Sequence, residues 1–432
     1  MESLTKSIRG TQDVLPDQSY LWQAVQKIMA ENARVFGYKE IITPVFEHTE
    51  LFERGVGDTT DVVQKEMYTF NDKGGRSITL RPEGTAGAIR SVLEHNLHKG
   101  ALPLKTYYFS SCYRYEKPQA GRLREFHQFG AEMIGTSSPV SDAEVIALAR
   151  SVIDMLGIKN ITLFINSIGC PTCRANFQKE LLAYFGGHKG EFCGTCLDRM
   201  ERNPMRIFDC KSPVCGEIAA KAPVMLDHLC EECKNHFGEV QTYLQSAGIE
   251  FSIDPRIVRG LDYYTKTVFE FVSNDIGSQG TVCGGGRYDG LIEELSGEAV
   301  PALGFGMGIE RTLLVMKNQG VEMPQPPPMD IYIASMTPAA ARKAFELVHL
   351  LREDGFYAEC DHMNRGLKAQ MKYADKAGAS FTMILGEDEL SGGQGFLKSM
   401  KDGQKHQVPL DDRLVNALYQ LRATAFDLPE FK

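Results

Sequence analysis

One short stretch of this chain limits its possible folds more than any other. Residues 259–265 read Arg-Gly-Leu-Asp-Tyr-Tyr-Thr, and they are soon followed by Ser-Gln-Gly-Thr at 278–281 and Gly-Gly-Gly-Arg-Tyr at 284–288. The neighbouring segments are apolar and strand-like. An unpaired guanidinium and two phenols inside a core each need a hydrogen-bond partner, so buried strands rarely carry them. These segments therefore predict the lining of a pocket for a small polar ligand.

Length and composition exclude several classes of protein. The chain has 432 residues, of which 43% are apolar, so it can form two or three domains with separate cores. No run of 18 apolar residues occurs, and the polar first ten residues show no secretory signal, so we expect neither a membrane span nor secretion. The eleven cysteines then indicate reduced thiols and a cytoplasmic location. A net charge of −9 argues against a protein that coats nucleic acid.

The order of the predicted elements favours an α+β fold. Asp17 is predicted to cap a helix over residues 18–36. Strand-like runs follow, including 104–115 and 126–134, without the regular strand–helix alternation of a parallel sheet. This arrangement predicts an antiparallel sheet with flanking helices.

Changes in composition divide the chain into five parts. The predicted parts are the two portions of an α+β domain (1–168 and 246–322), a cysteine-rich helical insertion between them (169–245), a proline-rich linker (323–329) and a small α/β domain (330–432). Strand and pocket motifs resume near residue 251, so sequence beyond the insertion completes the first core. The proline run predicts a stiff linker, and the alternating strands and helices after it predict the α/β domain.

Residues 81–85, Arg-Pro-Glu-Gly-Thr, close a predicted strand and open a helix. Pro82 presets the backbone, Gly84 allows close approach of a ligand, and Glu83 and Thr85 offer acceptors. One interpretation is an ordinary helix start with an acidic first turn. The other is a carboxylate at a pocket mouth that binds a substrate ammonium group.

Two strand-like runs joined by a basic loop form the next candidate. The turn back along the sheet is predicted to bring Arg114 near Gln128 and Glu132. A hairpin with cross-strand ion pairs is one interpretation, and an arginine fork for a phosphate or carboxylate is the other. The loop at 114–124 carries four basic side chains and one acidic side chain, a pattern that also suits a solvated loop.

Residues 304–311, Gly-Phe-Gly-Met-Gly-Ile-Glu-Arg, place a glycine at every second position before a predicted helix. Position 309 is isoleucine, so the dinucleotide-binding spacing is not met. Glycines on one face of a strand leave a flat floor for a planar base. Arg311 can then reach a polyphosphate.

Eight of the eleven cysteines fall within the predicted insertion. In sequence order they form two sets of four. The first set is Cys170, Cys173, Cys193 and Cys196, and the second is Cys210, Cys215, Cys230 and Cys233. The spacing is that of structural four-thiolate zinc sites, but reduced thiols that pack small helices are the alternative. The sequence leaves this choice open, and we expect no catalytic metal site.

Six blocks, in this order, resemble the histidyl-tRNA synthetases of class II. They are residues 9–16, 81–85, 114–132, 259–265, 278–288 and 304–311. The Arg-x-Glu at 114–116 with its loop and aromatic return resembles class II motif 2, residues 304–311 resemble motif 3, and Pro44 resembles the dimer-forming motif 1. The resemblance spans essentially the whole chain. It implies the class II antiparallel sheet, a homodimer and a C-terminal anticodon-binding domain.

The resemblance also implies a reaction and roles for individual residues. The enzyme would join L-histidine and ATP, accompanied by Mg²⁺, into histidyl-adenylate and pass the histidyl group to tRNA(His). Histidine would be bound by Glu83, Gly84, Thr85, Arg114, Gln128, Glu132, Arg259, Tyr263 and Tyr264. ATP would be bound by Arg114, Glu116, Phe126 and Arg311. Arg259 and Arg114 would be catalytic, and Gln119 and Arg122 would meet the acceptor end of the tRNA.

A paralogous family offers a different function on the same fold. The regulatory subunits of ATP phosphoribosyltransferase sense histidine and charge no tRNA. Such paralogues typically lack the C-terminal domain and the Arg-Gly-Leu-Asp-Tyr-Tyr segment, and this chain has both. A plain RNA-binding module is disfavoured by the ATP-site motifs and the acidic net charge.

Overall fold

The structure is a computed structural model that divides into two compact units, Met1–Pro324 and Gln325–Lys432. It describes residues 5–57, 60, 62–119, 121–210, 212–259, 261–277, 280–323 and 325–425. Five residues of the predicted motifs and linker, Ala120, Gly260, Ser278, Gln279 and Pro324, lie outside the described residues.

The first unit contains a large sheet, a small sheet and helices. Its helices are α1 (Pro16–Val35), α2 (Thr49–Val56), α3 (Thr85–Glu94), α4 (Pro139–Met155), α5 (Pro171–Gly186), α6 (Gly194–Arg202), α7 (Pro213–Ala220), α8 (Glu231–Ser246), α9 (Leu291–Ser296) and α10 (Ile309–Asn318). Its strands are β1 (Lys39–Glu40), β2 (Phe46–His48), β3 (Tyr68–Asn71), β4 (Ser77–Leu80), β5 (Leu104–Tyr113), β6 (Glu125–Ile134), β7 (Thr162–Ser167), β8 (Ser252–Ile253), β9 (Thr265–Val272), β10 (Thr281–Arg287) and β11 (Ala302–Gly308).

The large sheet confirms the predicted antiparallel architecture. Its strand order is β1-β5-β6-β11-β10-β9-β7-β8, and the pairs from β5 through to β7 are all antiparallel. The short edge strands β1 and β8 pair in parallel with their neighbours. A separate antiparallel sheet has the order β2-β4-β3. Strands from both sides of the helical insertion are thus joined in one sheet.

Alternation along the central strands gives the large sheet two different faces. Phe129 on β6 and Phe305 on β11 lie in the main core, with ring centroids 5.7 Å apart. Successive side chains of a strand point to opposite sides, so Gln128, Gly304 and Gly306 lie on the other face. That face carries glycines and polar groups, and it is where the predicted motifs meet.

Helix α1 begins two residues earlier than predicted. The helix begins at Pro16, its N-cap residue is Leu15, and no side chain caps it. The prediction that Asp17 caps the helix is therefore wrong. Proline is well suited to the first turn because it lacks the amide hydrogen that would have no partner there. Asp17 instead lies within that turn, where the helix dipole favours a negative charge.

The second unit has its own core and sheet. Its strands are β12 (Ile331–Ser335), β13 (Ala358–Cys360), β14 (Phe381–Leu385), β15 (Gln394–Ser399) and β16 (Lys405–Pro409). Its helices are α11 (Pro338–Glu353), α12 (Leu367–Lys376), α13 (Glu387–Gly392) and α14 (Arg413–Ala425). Strands β13, β12 and β14 are parallel, as the predicted strand–helix alternation requires, while β15 and β16 extend the sheet in antiparallel fashion.

The helices described here include none that combines the length and the apolar character needed to span a membrane.

A buried ion pair joins β10 to α4. Arg287 is fully buried and donates to the Asp142 carboxylate at 2.5 Å. The same guanidinium donates to the Thr136 carbonyl at 2.7 Å and to Asp289 at 3.0 Å. Removing one partner of such a pair leaves a buried charge without compensation.

We therefore expect Asp142→Ala to lower the free energy of unfolding of the first unit by about 3–5 kcal/mol, because Arg287 stays buried without its main counter-charge. Urea denaturation should show a lower midpoint with an unchanged slope. Asp154→Ala is the matched control on the same helix. It removes a half-exposed pair with Arg150, which should change stability by less than about 1 kcal/mol. Equal midpoints for the two variants would contradict the prediction.

Candidate active site

Two adjoining cavities open on the polar face of the large sheet, with volumes of about 240 and 300 Å³. Of the predicted residues, the first cavity is lined by Glu83, Thr85, Arg114, Glu116, Arg122, Gln128, Arg259, Tyr263 and Tyr264. The second is lined by Arg114, Glu116, Arg122, Phe126, Gln128, Arg259 and Arg311. Arg114 and Arg259 belong to both walls, so they lie where the cavities meet. Three predicted residues, Gly84, Gln119 and Glu132, line neither cavity.

Gly84 makes room for a protein side chain. A Cβ atom on Gly84 would overlap the ring of Tyr108, and one on Gly130 would overlap the same ring from another side. The expectation that a ligand approaches Gly84 closely is thus not what the geometry shows. Tyr108, which the sequence analysis missed, is held between these glycines and itself lines the first cavity.

Glu132 lies behind the first cavity and accepts three hydroxyl hydrogen bonds. The donors are Thr85 at 2.8 Å, Tyr108 at 2.7 Å and Tyr288. Burial raises the pKa of Glu132 to about 8, against the opposing effect of these donors. Since Thr85 and Tyr108 both line the cavity, Glu132 fixes two wall residues from beneath.

Glu83 is held at the start of α3. Its carboxylate accepts from the amides of Thr85 at 2.6 Å and Ala86 at 2.7 Å. Burial raises the pKa of Glu83, although these amides and the nearby Arg114 oppose the shift. Arg114 in turn donates to the Pro82 carbonyl at 2.8 Å, so the predicted segments 81–85 and 114–116 are joined directly.

Arg259 stands at the junction of the two cavities. It forms an ion pair with Glu270 of β9, which also accepts from Thr281 at 2.9 Å. Burial lowers the pKa of Arg259, but Glu270 and Tyr264 more than offset this and raise it overall. A Cβ atom on Gly284 would lie 2.6 Å from the Arg259 guanidinium, so the absence of a side chain at position 284 leaves room for Arg259.

Positive charges crowd the second cavity. Arg311 donates to the carbonyls of Gly121 at 2.9 Å and Thr281 at 2.6 Å. Burial lowers the pKa of Arg311, and repulsion from Arg122 and Arg114 lowers it further. Burial and the Arg114 charge also lower the pKa of Arg122. Cations held this close disfavour one another, and a polyanion would relieve that repulsion.

Carboxylates and one aromatic ring complete the wall of the second cavity. Glu116 pairs with Arg122. Glu310, which the sequence analysis did not assign, accepts from the His127 amide at 3.0 Å. The ring of Phe126 lies 5.3 Å below the Arg114 guanidinium. The cavity thus combines cations, acceptors and an apolar ring, as binding of a nucleotide requires.

Two buried tyrosines close one side of the first cavity. The rings of Tyr263 and Tyr264 lie 4.6 Å apart, and Tyr288 lies 5.4 Å from Tyr263. Burial raises the pKa of all three phenols, so they are neutral hydrogen-bonding groups at physiological pH.

The helical insertion contributes a residue that the sequence analysis missed. Arg206 lines the first cavity and lies 3.3 Å from the Asp262 carboxylate, which also accepts from Asn203 at 3.1 Å. Arg174 at the base of the insertion donates to the Tyr264 carbonyl at 3.2 Å. Neither spacing nor periodicity marks Arg206, since its place depends on contacts between distant parts of the chain.

The cysteines form two tetrads, but in a different grouping from the predicted one. The outer tetrad is Cys170, Cys173, Cys230 and Cys233, and the inner tetrad is Cys193, Cys196, Cys210 and Cys215. Grouping in sequence order was therefore wrong, because the two ends of the insertion come together and enclose its middle. All eight are free thiols.

The fold and the two-cavity site define a class II aminoacyl-tRNA synthetase. A family model described as histidyl-tRNA synthetase matches residues 10–171 and 216–312, and a model described as anticodon binding domain matches residues 330–418. The chain belongs to the histidyl-tRNA synthetase family. The first match is interrupted between residues 171 and 216, where much of the cysteine-rich insertion lies.

Individual relatives agree with this assignment over nearly the whole chain. The histidine–tRNA ligase of Caldanaerobacter subterraneus subsp. tengcongensis is 53% identical over 409 residues, covering 95% of this chain and 98% of that protein. That of Acetivibrio thermocellus is 54% identical over 408 residues, covering 94% and 98%. The structure of apo Staphylococcus aureus histidyl-tRNA synthetase is 39% identical, has a TM-score of 0.82, and covers 96% of this chain and 100% of that one.

The paralogue fits less well. A Bacillus halodurans structure described as an ATP phosphoribosyltransferase regulatory subunit/histidyl-tRNA synthetase is 23% identical with a TM-score of 0.63, which shows a shared fold alone. The high identity to histidine–tRNA ligases over nearly full length favours the synthetase over the regulatory subunit.

The buried Glu132 leads to a prediction about stability and pH. With its pKa near 8 in the folded state and about 4.3 when unfolded, the carboxyl stabilises the fold at low pH and loses this contribution as pH rises towards 8. The neutral variant Glu132→Gln has no such loss. Between pH 6 and 8 the wild-type free energy of unfolding should fall relative to the variant by at most about 1.4 kcal/mol per pH unit.

Chemical denaturation of both ligand-free proteins at several pH values measures this difference. Glu125→Gln on the same strand is a suitable control, because its half-buried carboxylate faces Tyr113 at the surface end of β6. Parallel stability curves for wild type and Glu132→Gln would show that Glu132 stays ionised throughout.

Proposed function

We propose that this chain is a histidine–tRNA ligase in which Arg114 and Arg259 hold the reacting groups at the junction of the two cavities. The observation that supports this best is that both guanidiniums line both cavities. An amino acid in the first cavity and a nucleotide in the second would therefore meet at fixed cations. The chain would form histidyl-adenylate and then transfer the histidyl group to tRNA(His).

The first step joins two anions. A carboxylate oxygen of histidine attacks the α-phosphorus of ATP, the bond to the bridging oxygen breaks, and pyrophosphate leaves with that electron pair. The carboxylate is already ionised, so the step needs no general base. Negative charge builds on the phosphoryl oxygens, and preorganised guanidiniums at Arg114 and Arg259 stabilise it. Glu270 keeps Arg259 aimed at this point, and the closeness of the bound groups lowers the barrier further.

We place ATP in the second cavity. The glycines at 306 and 308 leave a flat floor for the adenine, with Phe126 as an aromatic contact, and Arg311 holds the γ-phosphate. Mg²⁺ would enter with ATP as part of the substrate and would neutralise phosphate charge. Glu116 and Glu310 of this wall would supply carboxylate oxygens, the ligands that Mg²⁺ prefers.

We place histidine in the first cavity. Its ammonium group would bind near Glu83 and Thr85, and Gln128 would accept or donate at the backbone side. Tyr263 and Tyr264 would contact the imidazole, and Glu132 would act by fixing the wall behind it. An amino acid without ring nitrogens would leave buried polar groups unpaired, which is a strong basis for discrimination.

The basic loop, the second unit and the segment around Pro44 would contact the tRNA and a second copy of the chain. Gln119 and Arg122 pair backbone to backbone at 2.9 and 3.1 Å in the basic loop, and we propose that this loop meets the acceptor end of tRNA(His). The second unit would read the anticodon, in keeping with its family match. Exposed Ile42, Val45 and Phe46 beside Pro44 support a homodimer through motif 1. The cytoplasmic location stays a prediction from cysteine content.

Amino-acid-dependent ATP–pyrophosphate exchange tests the proposal. We expect exchange with histidine and none with the other amino acids, because only histidine satisfies the first cavity. Folded protein that binds histidine but supports no exchange would instead indicate the regulatory function.

Arg259→Ala should slow histidine-dependent exchange by a factor on the order of 10²–10³, since it removes one preorganised transition-state cation. The fall should appear in kcat, measured at saturating ATP and histidine. Arg256→Ala, an exposed arginine three residues earlier, is the matched control and should leave the rate unchanged. Near-normal exchange in Arg259→Ala would remove this residue from the chemistry.

A further inference from the structure

The two cysteine tetrads of the insertion have no part in the proposed reaction. Within each tetrad the four sulfur atoms all lie within 4.8 Å of one another. The Sγ atoms of Cys170 and Cys173 are 3.6 Å apart, and those of Cys193 and Cys210 are 3.9 Å apart. Four thiolates about 2.3 Å from one zinc ion form a tetrahedron with edges of about 3.8 Å. The sulfur atoms are thus already spaced as zinc ligands.

The local backbone suits thiolates as well as the spacing does. Three helices of the insertion, α5, α6 and α8, are each directly preceded by a cysteine: Cys170, Cys193 and Cys230. The next cysteine along the chain, Cys173, Cys196 or Cys233, lies in the first turn of the same helix. Helix N-termini favour the thiolate form. Backbone amides also point at sulfur, from Cys230 to Cys173 at 3.1 Å and from Cys193 to Cys215 at 3.4 Å.

The tetrads lie within a small core. The insertion has its own apolar cluster, including Phe177, Phe185 and Ile207, and cysteines of both tetrads belong to it. The core of a unit of this size supplies only modest stability, and structural metal ions are one common means of adding to it. The outer tetrad joins the two ends of the insertion, and the inner tetrad joins two segments within it.

We propose that each tetrad binds one Zn²⁺ through four thiolates, which gives two structural zinc sites per chain. Binding displaces a proton from each thiol and involves no oxidation. The ions need no open coordination position, because all four ligands come from the protein. An iron–sulfur cubane fits less well, since its four thiolates bind four separate irons and must lie farther apart.

The proposed sites lie next to two arginines that contact the segment carrying the tyrosine pair. Arg206 lies in the turn Pro204–Asp209, immediately before the inner-tetrad ligand Cys210. Arg174 follows the outer-tetrad ligand Cys173 and donates to the Tyr264 carbonyl. Metal loss would release both arginines from the segment that carries the two tyrosines.

Metal content of the full-length protein, purified without chelator, tests the proposal. Inductively coupled plasma mass spectrometry should find about two zinc ions per chain. Cys173→Ser in the outer tetrad and Cys196→Ser in the inner tetrad should each lower this to about one. Cys360→Ser, a buried cysteine of the second unit that belongs to neither tetrad, should leave it at about two.

Measurements on the wild type alone cover the case in which a variant fails to fold. Cobalt exchanged into the protein should show the intense visible and near-ultraviolet bands of tetrahedral Co²⁺–thiolate sites, and the eight thiols should resist alkylation until a chelator is added. Folded protein with less than about one zinc per chain and eight freely alkylated thiols would overturn the proposal. Disulfides within the tetrads, or iron in stoichiometric amount, would also overturn the proposal. If the wild type held one zinc ion and only one of the two variants lost it, the proposal would be overturned for the tetrad of the other variant.

Discussion

The register between β6 and β11 is the constraint on which the site depends. It pairs Gln128 with Gly308 and Glu132 with Gly304, and it keeps Phe129 and Phe305 in the core. A shift of one residue would exchange the two faces and turn the phenylalanines towards the cavities. Because burial of the aromatic face stabilises only one register, the hydrophobic core fixes the geometry of the polar face.

Charge balance explains why the arginines can stay in place without a ligand. Arg259 has Glu270 beside it and Arg122 has Glu116, so each cation is partly compensated in the folded state. At the second cavity Arg311 has Arg122 and Arg114 nearby, and burial together with repulsion from these two cations lowers its pKa. A site that is stable alone but still short of negative charge suits a polyanionic substrate.

The sequence predicts those parts of the site that are carried by local motifs. Three arginines lie on short segments with a recognisable residue spacing: Arg114, Arg259 and Arg311. In the structure all three line the second cavity. The role of Gly84 and the buried position of Glu132 escape prediction, because both depend on the ring of Tyr108 from another strand. Arg206 and the cysteine grouping depend on contacts across long separations, which no local pattern encodes. The fold class follows from element order, whereas strands β15 and β16 lack a comparable signal.

The helical insertion forms part of the wall of the first cavity through Arg206. Asp262 stands directly before the tyrosine pair and accepts from Asn203 of the insertion at 3.1 Å. The apolar cluster of the insertion, which includes Phe177, Phe185 and Ile207, holds its helices together. In the proposed zinc-bound form, cross-links at its base and in its middle would restrict its motion further, because they would shorten the free segments between fixed points. The nested cysteine tetrads lie at these two places, close in sequence to Arg174 and Arg206, which contact the segment that carries the tyrosine pair.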